Sequence, residues 1–179
     1  MLFRSGQSGD ETAEIAALLV DMFVRLYSGE PGDWAAEALR TAEAAIPTLQ
    51  AAGAHDTLAT AWRLIGFVHG VAGRYSQANA ATVHYMENAR KAGNQRLVAR
   101  SGMGLAIGAL SGPTPVPEAI AECEAIIAGG LADRQVQSVI RCVLAQLRAM
   151  NGEFDEARRL YRQGRAMLRE LGQGVSAAT

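Results

Sequence analysis

Residues 56–94 have the sequence DTLATAWRLIGFVHGVAGRYSQANAATVHYMENARKAGN, and this stretch decides the fold. In its first half the apolar residues recur every three or four positions, which is the period of an α-helix. They are Leu58, Ala61, Trp62, Ile65, Val68 and Ala72. Gly73 then supplies the positive φ that commonly ends a helix, and a second apolar period follows it. The stretch therefore predicts two helices, over residues 56–72 and 76–92, joined by a tight turn.

The same helical unit recurs about every forty residues along the chain. Each copy has a Glu-Ala or Gln-Ala pair in the first turn of its second helix. The alanines of these pairs are spaced by 40, 41 and 38 positions, at Ala38, Ala78, Ala119 and Ala157. Self-similarity at this period indicates stacked helical hairpins. We expect four hairpins within a single domain over residues 10–172, and their bounds are residues 10–53, 56–93, 95–130 and 133–172.

The later hairpins follow the same pattern, with one irregular turn. The third hairpin predicts helices over residues 95–110 and 116–128, and the fourth predicts helices over residues 134–150 and 155–171. Three prolines lie in the turn of the third hairpin. Proline fits the first turn of a helix, so we expect Pro115 or Pro117 at that position.

The two ends of the chain lack this periodicity. Residues 1–9 are rich in Gly and Ser and have no apolar core of the signal-peptide kind, so we expect a disordered or tag-like segment there. We expect Asp10 to cap the first helix of the first hairpin and Asp56 to cap that of the second. Residues 173–179 are expected to form a flexible tail.

The composition argues against several classes of protein. Hydrophobic residues make up 49 % of the 179 positions, which is enough for a domain core. A net charge of −1 gives the chain no general attraction to nucleic acid or to an anionic membrane. No apolar run reaches the roughly 18 residues of a membrane-spanning helix. The two cysteines lie in predicted helices, which favours a reducing compartment over a disulfide-bonded scaffold. We therefore expect a cytoplasmic protein that binds neither nucleic acid nor membrane.

Two parts of the chain resemble the tetratricopeptide repeat (TPR). Residues 62–66, WRLIG, followed by residues 73–78, GRYSQA, are similar to that family's aromatic, Leu-Gly, Gly-x-Tyr and Ala pattern, and residues 152–157, GEFDEA, repeat its turn. The chain departs from the family at His69, where an aromatic is usual, and at Arg141, which stands in the place of Trp62. The resemblance implies an all-α fold, a right-handed α-α superhelix or TPR-like solenoid of about four helical hairpins, that binds other proteins.

A narrower resemblance covers about residues 50–172. The order GRYSQA, KAGN, GPTPVPEAI and GEFDEAR is similar to the repeat arm of large actinobacterial signalling ATPases, and it occurs at residues 73–78, 91–94, 112–120 and 152–158. Those proteins often also carry a nucleotide-cyclase-like or DNA-binding domain. The resemblance implies a regulatory or sensory arm of a signalling ATPase or transcription regulator, although this sequence holds no ATPase or cyclase motif.

The sequence shows no clear motif for catalysis, a cofactor or a metal. Residues 102–108, GMGLAIG, have the wrong spacing for a dinucleotide-binding loop and lie in a predicted helix, which favours close helix packing. The three histidines include no pair four positions apart, as a helical metal site would need. Cys123 and Cys142 are expected to be small core residues. We expect a protein without enzymatic activity, cofactor or metal.

The resemblance also implies where a partner would bind. The inner surface of a TPR array is lined mainly by the first helix of each hairpin. In this chain the expected peptide- or partner-binding groove consists of Thr60, Arg63, Phe67, Gly70, Ser101, Leu105, Gln146 and Ala149. Such a mixed and mostly uncharged groove would suit an apolar or amphipathic peptide.

The last predicted helix carries a second candidate surface, which we call the arginine stripe. Its residues are spaced by 4, 3 and 4 positions and therefore share one helix face: Arg158, Arg162, Arg165 and Arg169. One interpretation is a solvated face balanced by the neighbouring acids Glu153, Asp155, Glu156 and Glu170. The other is a basic docking site for an acidic peptide or a neighbouring domain.

These observations predict a protein–protein interaction module whose partner is a protein or a peptide. Two alternatives stay open. Four hairpins leave an open apolar end, through which two copies could form a homodimer. A closed pocket around Trp62, Phe67 and His69 would instead indicate a small-ligand sensor.

Overall fold

The computed structural model describes residues 4–28, 33–130 and 133–172, and in these ranges the chain is all-helical. None of the described helices is both long and apolar enough to cross a lipid bilayer. The described residues form eight helices, namely α1 (Arg4–Ser28), α2 (Trp34–Ala51), α3 (His55–Val71), α4 (Tyr75–Lys91), α5 (Gln95–Ser111), α6 (Val116–Ala128), α7 (Arg134–Met150) and α8 (Phe154–Glu170).

From α3 onward the helix bounds follow the predicted period of about forty residues, because the first helices begin at His55, Gln95 and Arg134. Helices α3, α4, α5, α7 and α8 each have 17 residues. The α3–α4 hairpin recurs as α7–α8 at an offset of 79 positions, because His55 and Arg134 begin the first helices while Tyr75 and Phe154 begin the second. Helices α6 and α7 have the bounds that the sequence predicted at both of their ends.

The turns within the α3–α4 and α7–α8 hairpins are each closed by a glycine in the left-handed region. In the α3–α4 turn Gly73 has a φ of 71°, and the N–H of Arg74 donates to the carbonyl oxygen of His69 at 2.9 Å. In the α7–α8 turn Gly152 has a φ of 82°, and the corresponding backbone bond is also 2.9 Å long. This closure satisfies carbonyl groups at the helix end and reverses the chain within three residues.

The turn between α5 and α6 has a different structure because of its prolines. Pro115 is the N-cap residue of α6, and Pro117 is the second residue of that helix. Proline is tolerated there because the first backbone N–H groups of a helix have no intrahelical acceptor. The expectation of a proline in the first turn is therefore confirmed at Pro117.

The predicted helix caps at Asp10 and Asp56 are wrong. Helix α1 begins at Arg4, so Asp10 lies inside it and residues 4–9, expected to be disordered or tag-like, are helical. Ala54 is the N-cap of α3, and Asp56 instead accepts a hydrogen bond from Asn94 Nδ2 at 2.7 Å. The remaining parts of the terminal predictions, residues 1–3 and 173–179, lie outside the described residues.

The helices belong to two compact units, α1–α4 and α5–α8, whereas the sequence predicted a single domain. In the first unit α3 packs against α1, α2 and α4, and in the second α7 packs against α5, α6 and α8. Each unit has its own apolar core. Leu49 and Leu64 are fully buried in the first core, and Ile140 is fully buried in the second.

Small residues set the closest approach between the two helices of a hairpin. A Cβ atom added to Gly66 on α3 would lie 3.4 Å from the carbonyl oxygen of Ala78 on α4, which agrees with the predicted close crossing. The approach of α7 and α8 is closer. A Cβ atom on Gly164 would lie 2.7 Å from Cys142 Sγ and 2.8 Å from the carbonyl oxygen of Ser138. Position 164 therefore has no room for a side chain.

Candidate interaction surfaces

One face of α3 carries the first four residues of the predicted groove. Thr60, Arg63, Phe67 and Gly70 follow one another at spacings of 3, 4 and 3, and all four are half-buried. The Arg63 guanidinium carbon lies 4.4 Å above the centre of the Phe23 ring on α1, which is within the range of a cation–π contact. We call these four residues the α3 face.

The α3 face has open space at one end. A Cβ atom added to Gly70 would meet no atom within 4 Å. At the other end, Thr60 Oγ1 donates to the carbonyl oxygen of Asp56 at 3.2 Å, so its hydroxyl is occupied within its own helix. The α3 face therefore presents the Arg63 cation and the Phe67 ring at its centre, with open space beside Gly70.

The two groove residues predicted on α5, Ser101 and Leu105, do not align with the residues of the α3 face. Ser101 is fully buried, and its hydroxyl donates to the carbonyl oxygen of Val98 at 2.7 Å. Because α5 begins 40 positions after α3, Ser101 is equivalent to Ala61, another buried residue, and not to a residue of the α3 face. Leu105 is half-buried and is likewise equivalent to the buried Ile65. Ser101 is therefore a core residue and cannot line a groove.

The residues of α5 that match the α3 face were missed in the sequence. Arg100, Met103, Ile107 and Leu110 lie 40 positions after its four residues. Ile107, the equivalent of Phe67, is 44 % exposed. Helix α5 begins 40 positions after α3, so adding 40 to the residue numbers of the α3 face identifies them.

On α7 the predicted groove residues do keep the register of the α3 face. Gln146 and Ala149 lie 79 positions after Phe67 and Gly70. Gln146 is exposed and Ala149 is half-buried. These two residues place an exposed amide beside a half-buried methyl group on the second unit.

His69 and Trp62 are held by contacts within their own hairpin. Arg74 Nε donates to His69 Nδ1 at 2.9 Å. The pKa of His69 lies below its ordinary value, mainly because burial disfavours the charged imidazolium and also because Arg74 is positive. The Trp62 ring stacks on His84 with centroids 4.4 Å apart. The contacts of these two residues are therefore those of a packed hairpin.

The Cys123 thiol is buried, the Cys142 thiol is half-buried, and both are weakly acidic. Cys123 is fully buried, and burial together with Glu122 and Glu124 raises the pKa of its thiol to about 11. Burial also raises the pKa of Cys142, whose sulfur lies beside Gly164. In the described ranges, no group of three or more His, Cys, Asp or Glu side chains is placed to hold a metal ion.

Residues 102–108 are helical, and their first glycine is a packing residue. They lie inside α5. A Cβ atom on Gly102 would be 2.8 Å from Ile126 Cγ2 on α6. The prediction of close helix packing is therefore confirmed at Gly102.

Fewer acidic side chains pair with the arginine stripe on α8 than the sequence suggested. Of the four neighbouring acids, Asp155 pairs with a stripe residue, Arg158, at 2.5 Å. The other three acids pair elsewhere: Glu153 with Arg148, Glu156 with Arg159, and Glu170 with Arg134. The guanidinium carbon of Arg165 lies 5.8 Å from the centre of the Tyr161 ring. Arg162 and Arg169 are exposed, and no described carboxylate lies within ion-pair distance of either one.

Comparison with known proteins identifies no family. No protein-family model matches the chain, and a search of curated proteins gives no significant match. A functional assignment therefore rests on the geometry of the α3 face and of the arginine stripe.

Proposed function

We propose that this chain is a protein–protein interaction module built as a TPR-like, right-handed superhelix of helical hairpins. The observation that supports the proposal most strongly is the recurrence of the α3–α4 hairpin as α7–α8 at an offset of 79 positions. Arrays of such hairpins expose extended surfaces and commonly act by binding other proteins. The module would act in the cytoplasm as a regulatory arm of a signalling ATPase or transcription regulator, and it would not be an enzyme.

The α3 face is the proposed binding surface. Phe67 offers an apolar ring, Arg63 offers a cation that is partly shielded by Phe23, and Gly70 leaves room beside them. A short amphipathic helix or peptide with an apolar anchor and an acidic residue fits this chemistry. The anchor would contact Phe67, and the acidic group would pair with Arg63.

A steric block at Gly70 tests this function without removing an existing contact. The Gly70→Gln variant would fill the open position, while Ala80→Gln places the same side chain at an exposed position of α4. Both variants and the wild-type chain would serve as baits in a pull-down with mass-spectrometric detection. A partner that is retained by wild type and Ala80→Gln but lost with Gly70→Gln supports the α3 face. A partner retained equally by all three baits contradicts it.

A further inference from the structure

The arginine stripe occupies a helix face that is used for packing elsewhere in the chain. The second helices of the hairpins align on a buried alanine. In α4 the aligned buried alanine is Ala78, which is followed by Asn79 and Met86 at the first and eighth positions. In the other second helices the buried alanines are Ala38 in α2, Ala119 in α6 and Ala157 in α8. One position after these alanines stand Leu39, Ile120 and Arg158. Eight positions after them stand Ile46, Ile127 and Arg165. The four apolar residues of α2 and α6 pack in the cores of their units, whereas α8 has arginine at the same places.

The same alignment shows which neighbour this face meets. Five positions after the alanines stand Glu43, Glu124 and Arg162. Glu124 on α6 pairs with Arg148 on α7, the first helix of the following hairpin, at 2.5 Å. Helix α2, which carries Glu43, packs against α3, again the first helix of the following hairpin. In α8 the residue at this position is Arg162, so the charge at the centre of the face is reversed.

Helix α1 exposes a face of the complementary charge. Glu14 and Asp21, seven positions apart, share this face and are both exposed. Beside these acids lie apolar side chains that are about half exposed: Leu18 at 46 %, Val20 at 56 % and Val24 at 59 %. The inner side of the same helix is already buried against α2 and α3 through Leu19, Met22 and Phe23. Helix α1 is thus the first helix of a hairpin, and its outer surface is acidic and apolar.

We propose that α8 of one copy of this chain receives α1 of a second copy, so that the chains associate head to tail. The contact would repeat between molecules the packing of a second helix on a following first helix that α2–α3 and α6–α7 show within the chain. This inference goes beyond the proposed function and does not depend on it, because it uses neither the α3 face nor an external partner.

The spacing of the two surfaces matches as well as their charge. The arginine stripe has spacings of 4, 3 and 4, and Ala13, Ala17, Val20 and Val24 on α1 have the same spacings and are all exposed. Two helices packed nearly antiparallel, like the helices of a hairpin, bring stripes of this spacing into contact. Arginine buries its aliphatic stem on apolar surface while its guanidinium stays near water. The stems would cover the valines, and the guanidinium groups would reach Glu14 and Asp21.

Charge reversal of each surface in turn tests the proposal. Sedimentation velocity would measure the mass of wild type, of Arg162→Glu/Arg169→Glu and of Glu14→Arg/Asp21→Arg over a wide range of concentration. We expect wild type to grow beyond the 18.9 kDa of one chain as concentration rises, and to dissociate when added salt screens the charges. Each variant alone should stay at the mass of one chain. Mixing the two variants should restore association, because each keeps one native surface and the two reversed surfaces are also complementary.

A matched control and two contrary outcomes make the test decisive. Arg90→Glu/Lys91→Glu at the end of α4 changes the net charge as much as the α8 variant does, and it should associate like wild type. A wild-type chain that stays at 18.9 kDa at every concentration overturns the proposal. Loss of association in the α1 variant alone, with the α8 variant unaffected, overturns it too, because that result indicates a symmetric contact between two copies of α1.

Discussion

Replacing Gly164 by alanine tests the crossing of α7 and α8, because it adds one methyl group at the point of closest approach. The added Cβ would lie 2.7 Å from Cys142 Sγ and 2.8 Å from the carbonyl oxygen of Ser138. The backbone carbonyl cannot rotate away, so we expect overpacking strain near the upper end of its usual range, about 3 kcal/mol. Alanine gains about 1 kcal/mol over glycine inside a helix. The net loss of unfolding free energy is therefore about 2 kcal/mol.

Thermal unfolding followed by far-ultraviolet circular dichroism measures this loss. For a unit of this size it corresponds to a fall of the midpoint by about 10 °C. Hydrogen exchange with mass-spectrometric detection should show faster exchange in α7 and α8. Gly70→Ala is the matched control, because its new Cβ meets no atom within 4 Å, and it should be neutral or stabilising by about 0.5 kcal/mol. A Gly164→Ala chain as stable as wild type would refute the close crossing.

The turns and the buried groups give three further predictions. Gly73→Ala and Gly152→Ala force a side chain into the left-handed region at φ of 71° and 82°, so each should lower the free energy of unfolding by about 1–2 kcal/mol in urea titrations; an unchanged midpoint would contradict this geometry. The pKa of His69 is lower in the folded than in the unfolded chain because of burial and the Arg74 charge, so its contribution to stability is present above about pH 6.5 and is lost as the pH falls further. His69→Gln keeps an acceptor for Arg74 and should reduce this acid-side slope of unfolding free energy against pH, whereas an equal slope in both chains argues against it. The Cys123 thiol, with its pKa raised to about 11, should react with iodoacetamide only after denaturation; rapid labelling of the native chain at Cys123, located by peptide mapping because Cys142 is half-buried, would show that Cys123 is not buried.

The local helical pattern was predictable because each hairpin contains its own signals. Apolar residues at helical spacing, Gly73 and Gly152 in the turns, and a proline at the beginning of α6 act over a few positions. These signals located α6 and α7 at both ends. They also identified Gly66 as a position of close approach to α4.

The features that the sequence did not predict depend on longer distances or on register. Asp10 resembles a helix cap, but α1 continues through it to Arg4. Gly164 was not recognised because its role depends on Ser138 and Cys142, more than twenty positions away on another helix. Ser101 was placed in the groove by a shift of one position, and one position on a helix moves a side chain by about 100° around its axis. The pairing of each acid near the arginine stripe likewise depends on neighbouring helices.

Photo-cross-linking from the α3 face tests the proposed function most directly. A photoreactive amino acid would replace Gly70, where the structure leaves open space, and would replace the exposed Ala80 on α4 in a control chain. Each chain would be irradiated in lysate of the source cells and examined for covalent adducts. The account predicts an adduct with another protein from position 70 that is absent from position 80. Adducts from position 80 alone, or equal adducts from both positions, would contradict a partner bound at the α3 face.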